Sequence, residues 1–145
     1  MRHFFLLSLL VAVGCEAKVT LGGDDLPLGT FTCANIEKDA CVGPADSFAS
    51  TAPVVHVLYR TKTLPKQGEV YVIRWIGEDV GAAAPANTVI ATLEEKVTDD
   101  PALATTYNVN TNLTRPTAGW PPGKYRVEIE RAGAIETTAR FTITP

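Results

Sequence analysis

Few side chains outside the first fourteen residues could drive chemistry. The single histidine there is His56, within the alternating stretch VVHVLYRTK. Ser47 and Ser50 precede it, and Asp46 adjoins Ser47. A Ser-His-Asp relay needs all three groups to converge in space, and the residue types are present. The Gly-x-Ser-x-Gly elbow that exposes a serine nucleophile is absent. Acidic pairs occur at Glu78-Asp79, Glu94-Glu95 and Asp99-Asp100. Neighbours on a strand point to opposite faces, so Glu94 and Glu95 do not converge on one substrate. Glycoside hydrolysis requires two carboxylates held across a cleft, and nothing in the spacing supplies them. Asp24-Asp25 lacks the every-second-residue carboxylates of a calcium loop. No phosphate-cradling glycine loop and no Cys-x2-Cys pair is present. The expectation is therefore no metal, no cofactor and no enzyme, with a small exported hydrolase using His56 as the last of three readings.

The remaining reactive groups are three cysteines, and the leader decides how to read them. Met1-Arg2-His3 is a short basic start. Phe4 to Val13 is a ten-residue apolar run, too short to span a membrane as a helix and suited to a signal-peptide core. It ends in Ala12-Val13-Gly14-Cys15. That ending resembles the lipobox of bacterial lipoproteins, with Ala12 where the motif has leucine. The resemblance covers the leader alone. It implies that residues 1–14 are removed and that Cys15 carries the lipid. The alternative is ordinary secretory cleavage after Ala17, because Cys15-Glu16-Ala17 also ends in a small residue. Both imply export. Only lipidation implies attachment, with each buried CH2 contributing about 0.8 kcal/mol. The outer membrane is the default destination, facing the periplasm or the cell surface.

Setting Cys15 aside leaves Cys33 and Cys41. An even remainder in an oxidising compartment favours a disulfide. It would close a polar loop of nine residues, ends included. A loop that short stabilises by about 2–3 kcal/mol in the chain-entropy treatment. A metal site or free thiols are the alternatives, and Cys-x7-Cys without a nearby histidine is poor ligand spacing.

The elements that must position these groups read as strands. The chain has 145 residues, 46% hydrophobic and 20% charged, which suits one domain. The divisions are a leader at 1–14, an irregular lipid-anchored tether at 15–29 and a domain at 30–145. A net charge of −3 without any basic run makes nucleic acid an unsuitable partner. Strands are expected at Thr30 to Cys33, Val54 to Lys62, Glu69 to Ile76, Thr88 to Val97 and Thr105 to Thr114. Two more form a closing hairpin within Gly119 to Ile143. Val42 to Pro53 reads as irregular and Gly77 to Asn87 as a loop. Alternation places Val55, Val57 and Tyr59 on one face, then Tyr71, Ile73 and Trp75, then Val89, Ala91 and Leu93. Tyr125, Val127 and Ile129 alternate with charges, and Arg131-Ala132-Gly133-Ala134 is a short reversal.

Two strands joined by a Leu-x3-Gly turn and ending in Trp75 resemble the early hairpin of immunoglobulin-like and fibronectin-type sandwiches. That resemblance implies that Trp75 fills the space between sheets. The Trp-x2-Gly-x-Tyr pattern of Trp120 to Tyr125 resembles corners in immunoglobulin-like envelope domains. Tyr125 resembles the corner tyrosine that ties a loop to the backbone, although the disulfide partners that usually accompany it are absent. The expected fold is all-β: an antiparallel immunoglobulin-like β-sandwich of about seven strands.

Such a domain binds through end loops and edge strands. The candidates are Asp79 and Val80 in the Gly77 to Asn87 loop, the stapled loop, and Trp120. Trp120 is either an exposed contact residue or a lid folded over the core. The first functional reading is a non-enzymatic cell-envelope lipoprotein that binds a protein partner or assists assembly, with its lipid in the membrane. The second is an inhibitor or immunity-type protein that blocks an exported enzyme, since a rigid stapled loop loses less entropy on binding.

Overall fold

The computed structural model describes residues 17–21, by their backbone, and 26–145. The leader, Cys15 and Asp24-Asp25 lie outside the described residues. Among the described residues ten strands are present: β1 (Ala17–Leu21), β2 (Gly29–Glu37), β3 (Ala40–Pro44), β4 (Ser47–Ala49), β5 (Val54–Thr61), β6 (Val70–Asp79), β7 (Thr88–Lys96), β8 (Tyr107–Thr114), β9 (Gly123–Arg131) and β10 (Ala134–Thr144). They form two five-stranded sheets, ordered β1-β8-β5-β2-β3 and β4-β10-β9-β6-β7. The protein is an all-β sandwich. Every pairing is antiparallel except β4 with β10, which is parallel, so the second sheet is mixed.

Period-two patterning builds the core. Val55 and Val57 from β5, Val109 and Leu113 from β8, and Tyr71, Ile73 and Trp75 from β6 are all buried. They meet Val127 and Ile129 of β9 and Phe141 and Ile143 of β10. Trp75, 1% exposed, lies between the sheets, and its indole N–H donates to the Thr111 hydroxyl at 3.3 Å. That bond satisfies a donor which burial would otherwise leave unpaired, and it joins the two sheets. Phe141 stacks on Tyr125 with centroids 5.2 Å apart and meets Trp75 edge-on at 6.1 Å.

The structure departs from the sequence expectation at four places. Ala17–Leu21 is a strand paired with β8, so the expected tether contains an edge of the first sheet. Cys33 to Cys41 is a hairpin rather than a polar loop. Lys38 and Asp39 both adopt positive φ (48° and 63°), which two-residue hairpin turns require. The Cys33–Cys41 disulfide forms across it, with Cα atoms 5.7 Å apart. The stretch read as irregular holds β3 and β4, and β4 contributes Phe48 edge-on to Phe141 at 5.8 Å. Finally, β6 and β7 slip register between Trp75 and Ile76. This bulge re-aims the start of β7, so Val89 is 51% exposed and Ile90 packs against the core instead.

Candidate functional site

The end of the sandwich where β8 stops and β9 begins is built by a tightly tied corner. Trp120 is 3% exposed and lies edge-on to Tyr125 at 5.9 Å. Its indole N–H donates to the Ala52 carbonyl at 2.8 Å. The Tyr125 hydroxyl donates to the Pro121 carbonyl at 2.6 Å, four residues back. Burial pushes the Tyr125 phenol up to about 12, so it remains a donor at any physiological pH. Trp120 is thus a lid over the core.

Gly123 fixes what the corner rests on. A Cβ there would stand 2.2 Å from the Asp79 carbonyl oxygen and 2.8 Å from the Val80 Cα. Its φ of +149° is also one that side-chain-bearing residues avoid. The chain leaving β6 at Asp79 and Val80 therefore passes tightly against the start of β9, and Val80 is pressed toward the corner. Beyond it, Ala83 N–H donates to the Val80 carbonyl at 3.2 Å in a short 3₁₀ turn, Gly81–Ala83. The loop is pinned at its far end by Arg126, which donates to the Asn87 side-chain oxygen at 2.6 Å.

Between this loop, the corner and the two sheets lies an apolar groove of about 270 Å³. Gly77, Val80, Ile90 and Tyr125 line it from the second sheet, and Leu113 and Thr114 from the first. Pro116, Trp120 and Pro121 close one side, and Ala83, Ala84 and Val89 form the rim. No acidic, basic, histidine or cysteine side chain lines it. It offers shape and apolar surface, and of its hydroxyls those of Tyr125 and Thr88 are engaged with the Pro121 and Pro85 carbonyls. The structure brings Val80 and Trp120 together here, although two strands, β7 and β8, separate them in the sequence. Asp79 is not in the lining; its carboxylate faces outward and accepts from the Gly81 N–H at 3.3 Å.

The other chemistry-bearing residues are dispersed. Phe48 points inward from β4, so Ser47 beside it lies on the outer face of the second sheet. His56 lies on the outer face of the first sheet, opposite Cys33 and Asn112. Asp46, Ser47 and His56 are therefore on opposite sides of the molecule. Ser50 sits in the loop under the corner, where its backbone carbonyl accepts from the Trp120 N–H. Burial lowers the His56 pKa, and its Nδ1 is buried without a hydrogen-bond partner among the described residues. Glu94 and Glu95 do fall on opposite faces, opposite Val72 and Tyr71. Glu78 pairs with Arg126 and Arg140, and Asp100 caps the Pro101–Leu103 turn through the Ala102 N–H at 3.0 Å. Among the described residues no three metal-ligating side chains cluster.

A second, open pocket of about 430 Å³ lies on the outer face of the second sheet and includes Asp46, Ser47, Glu78, Lys124 and Arg140. Within it Arg140 holds Glu78 at 3.3 Å, and elsewhere on the second sheet Arg74 holds Glu130 at 2.6 Å and Arg126 holds Glu128 at 2.7 Å. This surface reads as a solvated ion-pair ladder, each exposed pair worth about 0–1 kcal/mol.

No protein-family model matches the chain, and no curated protein matches it. Among solved structures, a β-D-glucoside glucohydrolase from Trichoderma reesei shows 14% identity and a TM-score of 0.38 over 92% of this chain. The chain spans 19% of that protein's length.

Proposed function

We propose that this chain is a lipid-anchored, non-enzymatic module of the cell envelope that binds an apolar segment of a protein partner in the groove beside Trp120. The observation that carries the reading is the groove's lining. It is formed from both sheets, is mainly apolar, and has no acidic, basic, histidine or cysteine side chain. At about 270 Å³ it lies below the usual range for small-molecule sites, roughly 300–1,000 Å³, and suits one or two inserted side chains. An immunoglobulin-like sandwich agrees with the strand order, with β2-β5-β8 in one sheet and β7-β6-β9-β10 in the other. The Tyr125 tie agrees with it too. Anchoring rests on the lipobox-like ending at Cys15, and Cys15→Ala should move the protein out of the membrane fraction.

The binding claim is tested with a photo-crosslinking residue at Val89, on the exposed rim. It should capture one envelope protein in the native cell. Gly77→Ala should suppress that adduct, because the new methyl enters the groove 3.4 Å from Val80 without a clash. The same crosslinker at Leu103, 100% exposed and outside the groove, should capture nothing specific. Equal adducts from both positions, or adducts indifferent to Gly77→Ala, would refute the assignment.

A further inference from the structure

β1 runs antiparallel to β8, with Leu21 opposite Tyr107 and Ala17 opposite Thr111. The N-terminal end of β1 therefore lies at the end of the first sheet where Leu113 and Thr114 line the groove. Cys15 stands two residues upstream of Ala17. Two residues span at most about 7 Å. Connectivity alone thus keeps a lipid on Cys15 within reach of the groove-bearing end, since only Glu16 separates it in sequence from β1.

That end differs from the other in charge. Residues 50–53, 80–87 and 115–122 form its loops, and Arg115, which donates to the Thr51 carbonyl at 2.7 Å, is their one charged residue. Ala82, Ala83, Pro85, Ala86 and Pro122 are exposed there, and Val89 beside them is 51% exposed. The opposite end carries Lys62, Lys66, Glu69, Asp99 and Asp100. Small apolar loops enter the interfacial zone of a bilayer at little cost, whereas charged ones resist leaving water.

We infer that the Trp120 end of the sandwich lies against the lipid bilayer, held in that orientation by acylated Cys15 on a one-residue link. This rests on the reading of Cys15 as lipidated, and it narrows the groove's partner to an integral membrane protein, which offers an apolar segment at the level of the groove. A free tether would leave the domain tumbling above the surface; a strand starting at Ala17 does not.

The test uses the full lipidated chain in vesicles of phosphatidylethanolamine and phosphatidylglycerol carrying a lipid-bound quencher. An environment-sensitive dye is placed at Ala83→Cys or at Leu103→Cys, and intact mass reports acylation of Cys15. Quenching should be roughly threefold or more stronger at position 83 than at 103, as expected for interfacial burial. Inserting about ten Gly and Ser residues after Glu16 should erase the difference, since such linkers are flexible coils. An acylated chain with equal quenching at both positions overturns the orientation and leaves the anchoring intact. An unacylated chain overturns both.

Discussion

Gly123→Ala is the sharpest perturbation of the corner. The methyl carbon would sit 2.2 Å from the Asp79 carbonyl oxygen at the end of β6 and 2.8 Å from the Cα of Val80 just beyond it, both backbone atoms. Neither can swing aside as a flexible side chain would. Relief requires β6 and β9 to separate where the Gly77/Asp79 register shift already bends their pairing. A residue held outside its normal backbone region costs about 1–3 kcal/mol. Overpacking adds about 1–3 kcal/mol more. Together this is about 2–6 kcal/mol, a large share of the roughly 5–15 kcal/mol that holds a typical domain folded. For a domain of this size each kcal/mol shifts the melting temperature by about 3–6 °C. Calorimetry of Gly123→Ala should therefore show a drop of about 6 °C at least, by the same scaling. Gly77→Ala is the internal control. It lies in the same corner, its φ is outside the left-handed range, and its methyl would meet only side-chain carbons at 3.4 Å and beyond. It should melt close to the unmodified chain. If the two variants melt together, the close approach of β6 to β9 does not exist as described.

Three other outcomes are expected. Tyr125→Phe removes the bond to Pro121 and should cost about 0.5–1.5 kcal/mol in urea unfolding, without changing the fold by circular dichroism. Reducing Cys33–Cys41 should cost about 2–3 kcal/mol. The Val89 adduct should survive it, because neither cysteine lines the groove. For His56, burial lowers the folded-state pKa below its ordinary 6.5, so the unfolded chain binds the extra proton more readily. Stability should be fully present above about pH 6.5 and fall as the pH drops toward the folded value, and His56→Gln should flatten that part of the melting-temperature profile.

Much of the fold is legible wherever alternation is strong. Tyr71, Ile73 and Trp75 face inward as their spacing says, and Ala132-Gly133 makes the reversal between β9 and β10 with both residues at positive φ. Tyr125 makes the backbone tie that its pattern suggests. The strands that escape reading are short or punctuated. β4 has three residues, β3 ends in Gly43-Pro44, and β1 is stabilised by β8 rather than by its own composition. Propensity is weak for such segments, and a partner far along the chain decides them. The groove is less legible still. Alternation puts Val89 rather than Ile90 on the inner face, and leaves Trp120 as either a contact residue or a lid; the register shift that turns Ile90 inward, and the space beside Gly77 where a Cβ would meet Val80 and Ile90, are set by pairing between distant strands.

The pairing of β4 with β10 has a kinetic consequence. Ser47 to Ala49 bond to Thr142 to Thr144, and β1 bonds to β8. Neither sheet can close along these edges until distant parts of the chain have emerged. Topologies dominated by such distant pairings fold in about milliseconds to seconds rather than microseconds. A chain of this design completes its first sheet only once β8 is present and its second only once β10 is.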